Sequence, residues 1–229
     1  MFLGKDNSIK WKWLMLAAAF TVAFCVAGVL WFDKPLFEFL RNFDWRIWGI
    51  FDAVFATKVW LFASFVAAML ICIKNKIKPE SNKDKNTNKF NFKQFLVNFI
   101  QKSKDNYGIL IFCSVLFASV AGGVLKYVLG RARPVFYEML GHTGFYPFNS
   151  EWAFNSMPSG HATASFAGLV MLGLLFPKVK WATWTLAVII GVSRISYGAH
   201  WPTDIILGAF IGMASADLVY SWCIRRIGR

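Results

Sequence analysis

Lys126, Arg133 and Arg194 are fixed cations without an obvious set of acidic partners beside them in the chain. Such groups are costly at a membrane surface unless an anion fills the gap between them. A phosphoryl group fits, because the guanidinium fork matches its oxygens. Each cation belongs to a short polar cluster. Lys126 is followed after six residues by Arg133-Pro134; Pro158-Ser159-Gly160-His161 comes next; Ser193-Arg194 is followed by five residues, His200, three residues and Asp204. Ser159 and Gly160 stand just before an apolar run of helical length, so their N–H groups and the positive helix end can meet a phosphate oxygen. Loss of one donor of this kind typically costs about 10²–10³ in rate.

Phosphoryl transfer also needs a nucleophile and an acid for the leaving group. His200 and Asp204, spaced i and i+4, can form a pair in which the carboxylate keeps one ring nitrogen protonated and the other free to attack phosphorus. His161 then remains to protonate the departing alkoxide. With Lys and Arg carrying the charge stabilisation, neither a metal nor another cofactor is required. A metal held by His161, His200 and Asp204 is the competing reading, opposed by the three nearby cations. Taken singly, a histidine at a helix start is more often a cap, and a lone Lys126 or Arg194 an interfacial anchor. Their joint occurrence at these spacings is the sharper signal.

The elements that must hold these residues are set by a composition far from that of a soluble enzyme: 229 residues, 57% hydrophobic, 18% aromatic and 16% charged. Disorder is excluded by the same balance, and a solvated basic surface for nucleic acid by the scarcity of polar residues. Six apolar runs predict an all-α integral membrane protein, a single domain over 1–229 with a six-helix transmembrane bundle. They cover approximately 13–32, 51–73, 109–129, 162–176, 181–196 and 205–223. Asp52 and Lys58 interrupt the second; the fourth and fifth are short and joined by Pro177 to Lys180 in a tight hairpin. Lys5, Lys10 and Lys12 before the first run resemble a signal-peptide start, but that run is long for one, and a retained helix is expected. With the N-terminus inside, 17 of the 25 Lys and Arg fall on cytoplasmic segments. Both termini are therefore expected in the cytoplasm of a bacterial-type cell, and the three polar clusters at the periplasmic surface of its inner membrane. Trp11, Trp13, Trp31, Trp60, Trp181, Trp184, Trp201 and Trp222 all fall near proposed span ends, as interfacial anchors would.

Residues 74–108 read as a basic cytoplasmic loop, with Phe92, Phe95, Leu96, Phe99 and Ile100 at the spacing of an interfacial amphipathic helix or of an extension of the third span. Residues 135–157, crowded with aromatics, are expected to form a periplasmic lid at headgroup level. Cys25, Cys72, Cys113 and Cys223 lie in apolar runs without metal or disulfide spacing and read as free thiols.

Together the three clusters resemble the three-part signature of the type 2 phosphatidic acid phosphatase (PAP2) superfamily, matching at every position over about 126–204. The resemblance implies a metal-independent lipid phosphatase working through a phosphohistidine. His200 would be the nucleophile, Asp204 its orienting partner and His161 the general acid; Lys126, Arg133, Ser159, Gly160 and Arg194 would bind phosphate. The substrate would be a lipid phosphate or diphosphate such as phosphatidic acid, phosphatidylglycerol phosphate, undecaprenyl diphosphate or a lipid A phosphate, with its tail in the bilayer. The signature residues read only the terminal phosphate, and the sequence specifies no oligomeric state. Arg131 is an extra cation that could touch a second phosphate or, the preferred reading, face the headgroups; His142 lies outside the signature and is taken as non-catalytic. Two further readings remain: a vanadate-dependent haloperoxidase, and a transporter or lipid-binding scaffold with a vestigial site.

Overall fold

The computed structural model describes residues 1–76 and 106–225. The proposed amphipathic helix around Phe92 to Ile100 lies outside the described residues. Nine α-helices carry the described chain: α1 (Trp11–Trp31), α2 (Asp33–Arg41), α3 (Ile47–Val54), α4 (Thr57–Lys76), α5 (Tyr107–Leu129), α6 (Pro134–Leu140), α7 (Gly160–Leu175), α8 (Lys180–Ser196) and α9 (Pro202–Arg225). Four of them, α1, α4, α5 and α9, are long and apolar enough to cross a membrane. On α1 only Leu14, Thr21, Cys25 and Gly28 are buried, a narrow stripe that packs inward. Phe20, Leu30 and their neighbours point outward, so the helix is apolar on faces that none of the described residues covers. In water that exposure would be untenable; in a bilayer it is the ordinary state of a spanning helix. The protein is a multi-pass membrane protein with an all-helical fold.

The sixteen-residue α7 sits at the centre, packed against α9, α5, α8 and α4. Its closest neighbour is α9, and glycine makes that approach possible. A Cβ on Gly212 would lie 2.6 Å from the Thr163 carbonyl oxygen, and one on Gly208 would lie 2.9 Å from that of Ser159. Gly208 and Gly212 are spaced i, i+4, the small-residue pattern that lets membrane helices meet backbone to backbone. The core around this crossing contains Phe166, Leu169, Val170, Ile190, Ile205 and Ala209.

Several polar side chains inside the bundle find hydrogen-bond partners. Ser114 donates to the Ala167 carbonyl (3.1 Å), Trp60 Nε1 to Ser165 (3.0 Å), and Asn106 caps α5 while donating to the Ala68 carbonyl (2.9 Å). Asp217, buried on α9 about 20 Å along the helix from Asp204, accepts the Phe2 N–H at 2.5 Å. The N-terminal segment is thereby docked at the end of the bundle opposite the polar clusters.

Several boundaries differ from the sequence reading. The second apolar run, read over 51–73, divides into short α3 and a longer α4 that begins at Thr57. Asp52 therefore sits near the end of a separate helix, outside the long one. Residues 33–41, between the first two apolar runs, form α2, and the aromatic loop opens with α6. Trp11, Trp13, Trp31 and Trp181 are exposed at helix ends, but Trp201 is only 1% exposed. Its indole donates to the Ala132 carbonyl (2.9 Å), with the ring between Phe37 and Tyr137. All four cysteines are free.

Candidate active site

Four helix ends converge: the C-termini of α5 and α8 and the N-termini of α7 and α9. Lys126 occupies the last turn of α5, which closes on Gly130 in the left-handed conformation (φ 57°), its N–H bonded to the Lys126 carbonyl. A side chain there would strike the Tyr146 carbonyl oxygen, at 1.7 Å from an added Cβ, so only glycine turns the chain at this point. The turn delivers Arg131 and Arg133 inward; both are buried, at 5% and 9% exposure. Ser159 is the N-cap of α7, Arg194 lies in the last turn of α8, and Asp204 in the first turn of α9. Lys126, Arg133, Ser159, Arg194 and Asp204 thus meet at one end of the bundle.

His200 is 2% exposed and its Nδ1 faces Asp204 Oδ2 and Ser156 Oγ, each at 3.5 Å. Nε2 is the nitrogen left to face the site. Asp204 is held from several directions: Ser156 Oγ donates to Oδ2 (2.5 Å), the Trp201 N–H donates to Oδ2 (2.9 Å), and Arg131 Nη1 donates to Oδ1 (2.8 Å). Arg131 also reaches Asp33 through Nη2 (2.6 Å) and Thr203 Oγ1 through Nη1 (2.7 Å). Thr203 in turn donates its N–H and hydroxyl to Asp33, at 2.9 and 2.6 Å. One guanidinium therefore bridges two buried carboxylates and fixes the one behind His200. Burial pushes the His200 imidazole well below its ordinary pKa; the Asp204 hydrogen bond opposes this, and Arg133 and Lys126 add to it. The shift favours the neutral imidazole over the charged one.

Lys126 Nζ donates to the Asn155 carbonyl (2.6 Å). Arg133 is fastened by three carbonyls, from Nε to Trp152 (3.0 Å), Nη1 to Ala199 (3.1 Å) and Nη2 to Asn155 (3.3 Å), with its plane 4.3 Å from the Trp152 ring centre. Burial lowers the Arg133 pKa to about 10, which leaves it charged at neutral pH. Arg194 differs. It is 3% exposed, and its Nη1 lies 2.9 Å from Asp52 Oδ1. That is close enough for charge pairing, yet neither Nε nor Nη1 has an acceptor in hydrogen-bonding geometry among the described residues. Buried guanidinium N–H groups without acceptors are costly and mark a place for an anion. His161 Nε2 is 3.0 Å from the Asp52 carbonyl oxygen and 3.2 Å from Asp52 Oδ1. Burial, then the Arg194 charge, lowers the His161 pKa, while Asp52 acts to raise it.

Three features depart from the sequence reading. Arg131 faces neither headgroups nor a substrate: two acids and Thr203 take its Nη groups. The Ser159 N–H, expected to meet phosphate, donates to the Asp204 carbonyl at 3.0 Å. The Ser159 hydroxyl accepts from Ala162 N, leaving the Gly160 and His161 amides as the open donors of the helix end. Asp33, Asp52 and Ser156 were not singled out, although each touches the site. Ser156 lies three residues from Ser159 and was within reach of sequence reasoning; Asp33 and Asp52 carry no local signal. His142 pairs with Tyr146, away from the clustered residues. Among the described residues, no three His, Cys, Asp or Glu side chains gather in a group that could hold a metal ion.

Comparison with known proteins finds relatives of this chain. Lipid A 1-phosphatase of Rhizobium etli is 39% identical over 119 residues, which cover 51% of this chain and 51% of that protein. Undecaprenyl-diphosphatase of Sulfolobus acidocaldarius is 36% identical over 133 residues, 56% of this chain and 63% of its own length. The chain thus spans about half the length of the relatives it matches. A crystal structure of a transmembrane PAP2-type phosphatidylglycerolphosphate phosphatase from Bacillus subtilis superposes with a TM-score of 0.60 over 93% of this chain and 96% of that one, at 16% identity. The fold is shared at that distance. Residues 107–227, which carry every residue of the three clusters, match the PAP2 superfamily profile, and the chain belongs to that superfamily.

Proposed function

We propose that the protein removes the terminal phosphate of a lipid phosphate or diphosphate through a phosphohistidine on His200, without a metal, at the outer face of a bacterial-type inner membrane. The observation that carries this reading is the state of two buried side chains, His200 and Arg194. His200 has Nδ1 turned toward Asp204 and Nε2 free, while Arg194 is buried with two N–H groups lacking acceptors. Nε2 attacks phosphorus, and the new N–P bond forms as the P–O bond to the leaving group breaks. Lys126, Arg133, Arg194 and the Gly160 amide hold the phosphoryl oxygens, and Ser159 caps the helix that presents that amide. His161 gives its proton to the leaving alkoxide, or to the leaving phosphate of a diphosphate. Water then attacks phosphorus, passes a proton to His161, and frees orthophosphate and His200.

The relatives supply the substrate candidates: lipid A 1-phosphate, undecaprenyl diphosphate and phosphatidylglycerol phosphate, with phosphatidic acid beside them. A cavity of about 410 Å³ between α1, α5 and α9, walled by Val22, Val26, Leu125, Leu129, Met157 and Leu207, gives an alkyl chain room beside the stretch of α5 that bears Lys126. The 135–157 lid guides the headgroup sideways. Its turn at Trp152 to Asn155 grips Arg133, and Phe136 stacks on Phe154. The shorter α7 and α8 complete a six-span bundle with both termini cytoplasmic.

Phosphate release from a panel of these lipids by purified protein, with a water-soluble phosphomonoester beside them, tests the reading. Turnover should survive chelator, stop with vanadate and vanish in His200→Ala while that variant remains folded in the membrane. Retained turnover in His200→Ala rules the mechanism out. Replacing the lid aromatics should lower lipid turnover more than soluble turnover, and equal effects on both would dismiss the lid.

A further inference from the structure

Asp52 occupies the place where the chemistry should happen. It comes from α3, eight residues long with none buried. Ile47, Ile50 and Val54 are 47%, 62% and 50% exposed, a lipid-facing side, while Phe51 and Phe55 turn toward the core. On the inner side Asp52 makes three polar contacts with the catalytic cluster, the carboxylate to Arg194 (2.9 Å) and to His161 Nε2 (3.2 Å) and the carbonyl to His161 Nε2 (3.0 Å). A carbonyl oxygen only accepts, so the proton of His161 is on Nε2 and is directed at Asp52. That proton reaches a leaving-group oxygen only when Asp52 gives up its position. The same holds at Arg194, where a carboxylate oxygen stands on the guanidinium that has spare donors. A phosphate dianion and an ionised carboxylate sharing one guanidinium repel each other.

We propose that Asp52 is an internal competitor for the phosphate site: its carboxylate and carbonyl stand in for substrate oxygens on Arg194 and His161, leave as the phosphoryl group enters, and return to expel orthophosphate. The inference rests on the phosphatase reading above, and makes Asp52 a residue that sets substrate and product affinity. Short α3, bounded by the turns at Asn42 to Arg46 and at Phe55 to Ala56, is the element that moves. Asp52 is 39% exposed in its side chain, so water can take over its solvation when it withdraws.

The experiment compares wild type, Asp52→Asn and Asp44→Asn, purified in detergent. Asp44 is an acid of the same segment that pairs with Arg41 and does not reach the cluster. Orthophosphate and vanadate affinities are read twice, by direct titration and as inhibition constants, with kcat and KM on a lipid phosphate. Asp52→Asn should bind both ions at least about tenfold more tightly, lower KM, and lower kcat as release slows; Asp44→Asn should match wild type. Asp52→Ser, which also lacks the charge, serves if Asp52→Asn does not fold, and should show the same tightening. Ion affinity that is unchanged or weaker in the uncharged variants, with kcat alone reduced, overturns the proposal and leaves Asp52 as a mere support for His161. Wild type and variants that all fail to bind either ion remove the phosphatase reading itself, and the proposal with it.

Discussion

Arg131 shows how one side chain can determine the geometry of another it does not resemble in role. It sits between Asp33 and Asp204, at 2.6 and 2.8 Å, with all three residues buried. Removing the cation leaves two carboxylates uncompensated, a loss of about 3–5 kcal/mol for a broken buried pair. Arg131→Ala should therefore lower the thermal midpoint in detergent sharply and abolish turnover. Arg131→Lys should rescue little, since an ammonium cannot reach both acids through a planar fork. Near-normal stability of Arg131→Ala would show that Asp33 and Asp204 are held by other means. The two histidines make a second prediction. Both are pushed below the ordinary value, His200 by burial and by Arg133 and Lys126 against Asp204, His161 by burial and by Arg194 and Arg133 against Asp52. His200 acts neutral, so its contribution is lost only as pH falls through its low pKa. His161 must be protonated to act as the acid, so its contribution is lost as pH rises through a pKa that is also below about 6.5. The free-enzyme kcat/KM profile should peak on the acid side of about pH 6.5 and decline above it. A profile that climbs to pH 8 contradicts the assignment of His161 as the acid.

At the scale of elements, the α7–α9 crossing sets the start of α7, with Gly160 and His161, beside the start of α9, which follows His200 in the chain. The Ser159 N–H bonds to the Asp204 carbonyl, so the two helix starts are joined directly, and Gly208 and Gly212 keep the helices in contact below that bond. An added methyl at Gly212 meets backbone on α7 that cannot rotate away. Gly212→Ala should cost about 1–3 kcal/mol and reduce kcat by displacing His200 relative to the helix end. Gly123 on α5 has nothing within 4 Å of an added Cβ. Gly123→Ala should be neutral or stabilising by up to about 1 kcal/mol through helix propensity. Equal effects of the two substitutions, read by thermal melts and turnover, would mean that the crossing does not control the site. A Gly-x3-Gly pattern was present in the chain, but its partner was not. The pattern states that some helix approaches closely, and only the fold identifies it as α7.

For the whole molecule, the distribution of charge predicts sidedness. The positive-inside rule puts seventeen of the 25 basic residues on segments expected to be cytoplasmic, and the site sits among the ends of α5, α7, α8 and α9. In a cysteine-free background with normal turnover, Lys178→Cys should react with an impermeant maleimide only from the cytoplasmic side, and His142→Cys only from the opposite one. Labelling of both from the same side would refute the orientation. The polar end is also where the two halves of the chain depend on each other. Residues 107–227 match the superfamily, yet Asp33 and Asp52, from outside that stretch, complete the ion pairs of Arg131 and Arg194.

By itself the sequence determined the membrane character, the helical class and the grouping of Lys126, Arg133, Ser159, Gly160, His161, Arg194, His200 and Asp204 into three short clusters. Those are matters of apolar run length and of short-range spacing, such as His200 and Asp204 one helical turn apart. Tertiary structure alone decided that Arg131 is buried, that Trp201 belongs to the core, and that Ser159 spends its N–H on Asp204. It also decided that Asp33 and Asp52 reach cations 98 and more residues away in the chain. An aspartate in a polar connecting segment has the same local pattern whether it faces water or a buried guanidinium. The difference is the cost of leaving that guanidinium unpaired, and this exists only once the helices have closed around it.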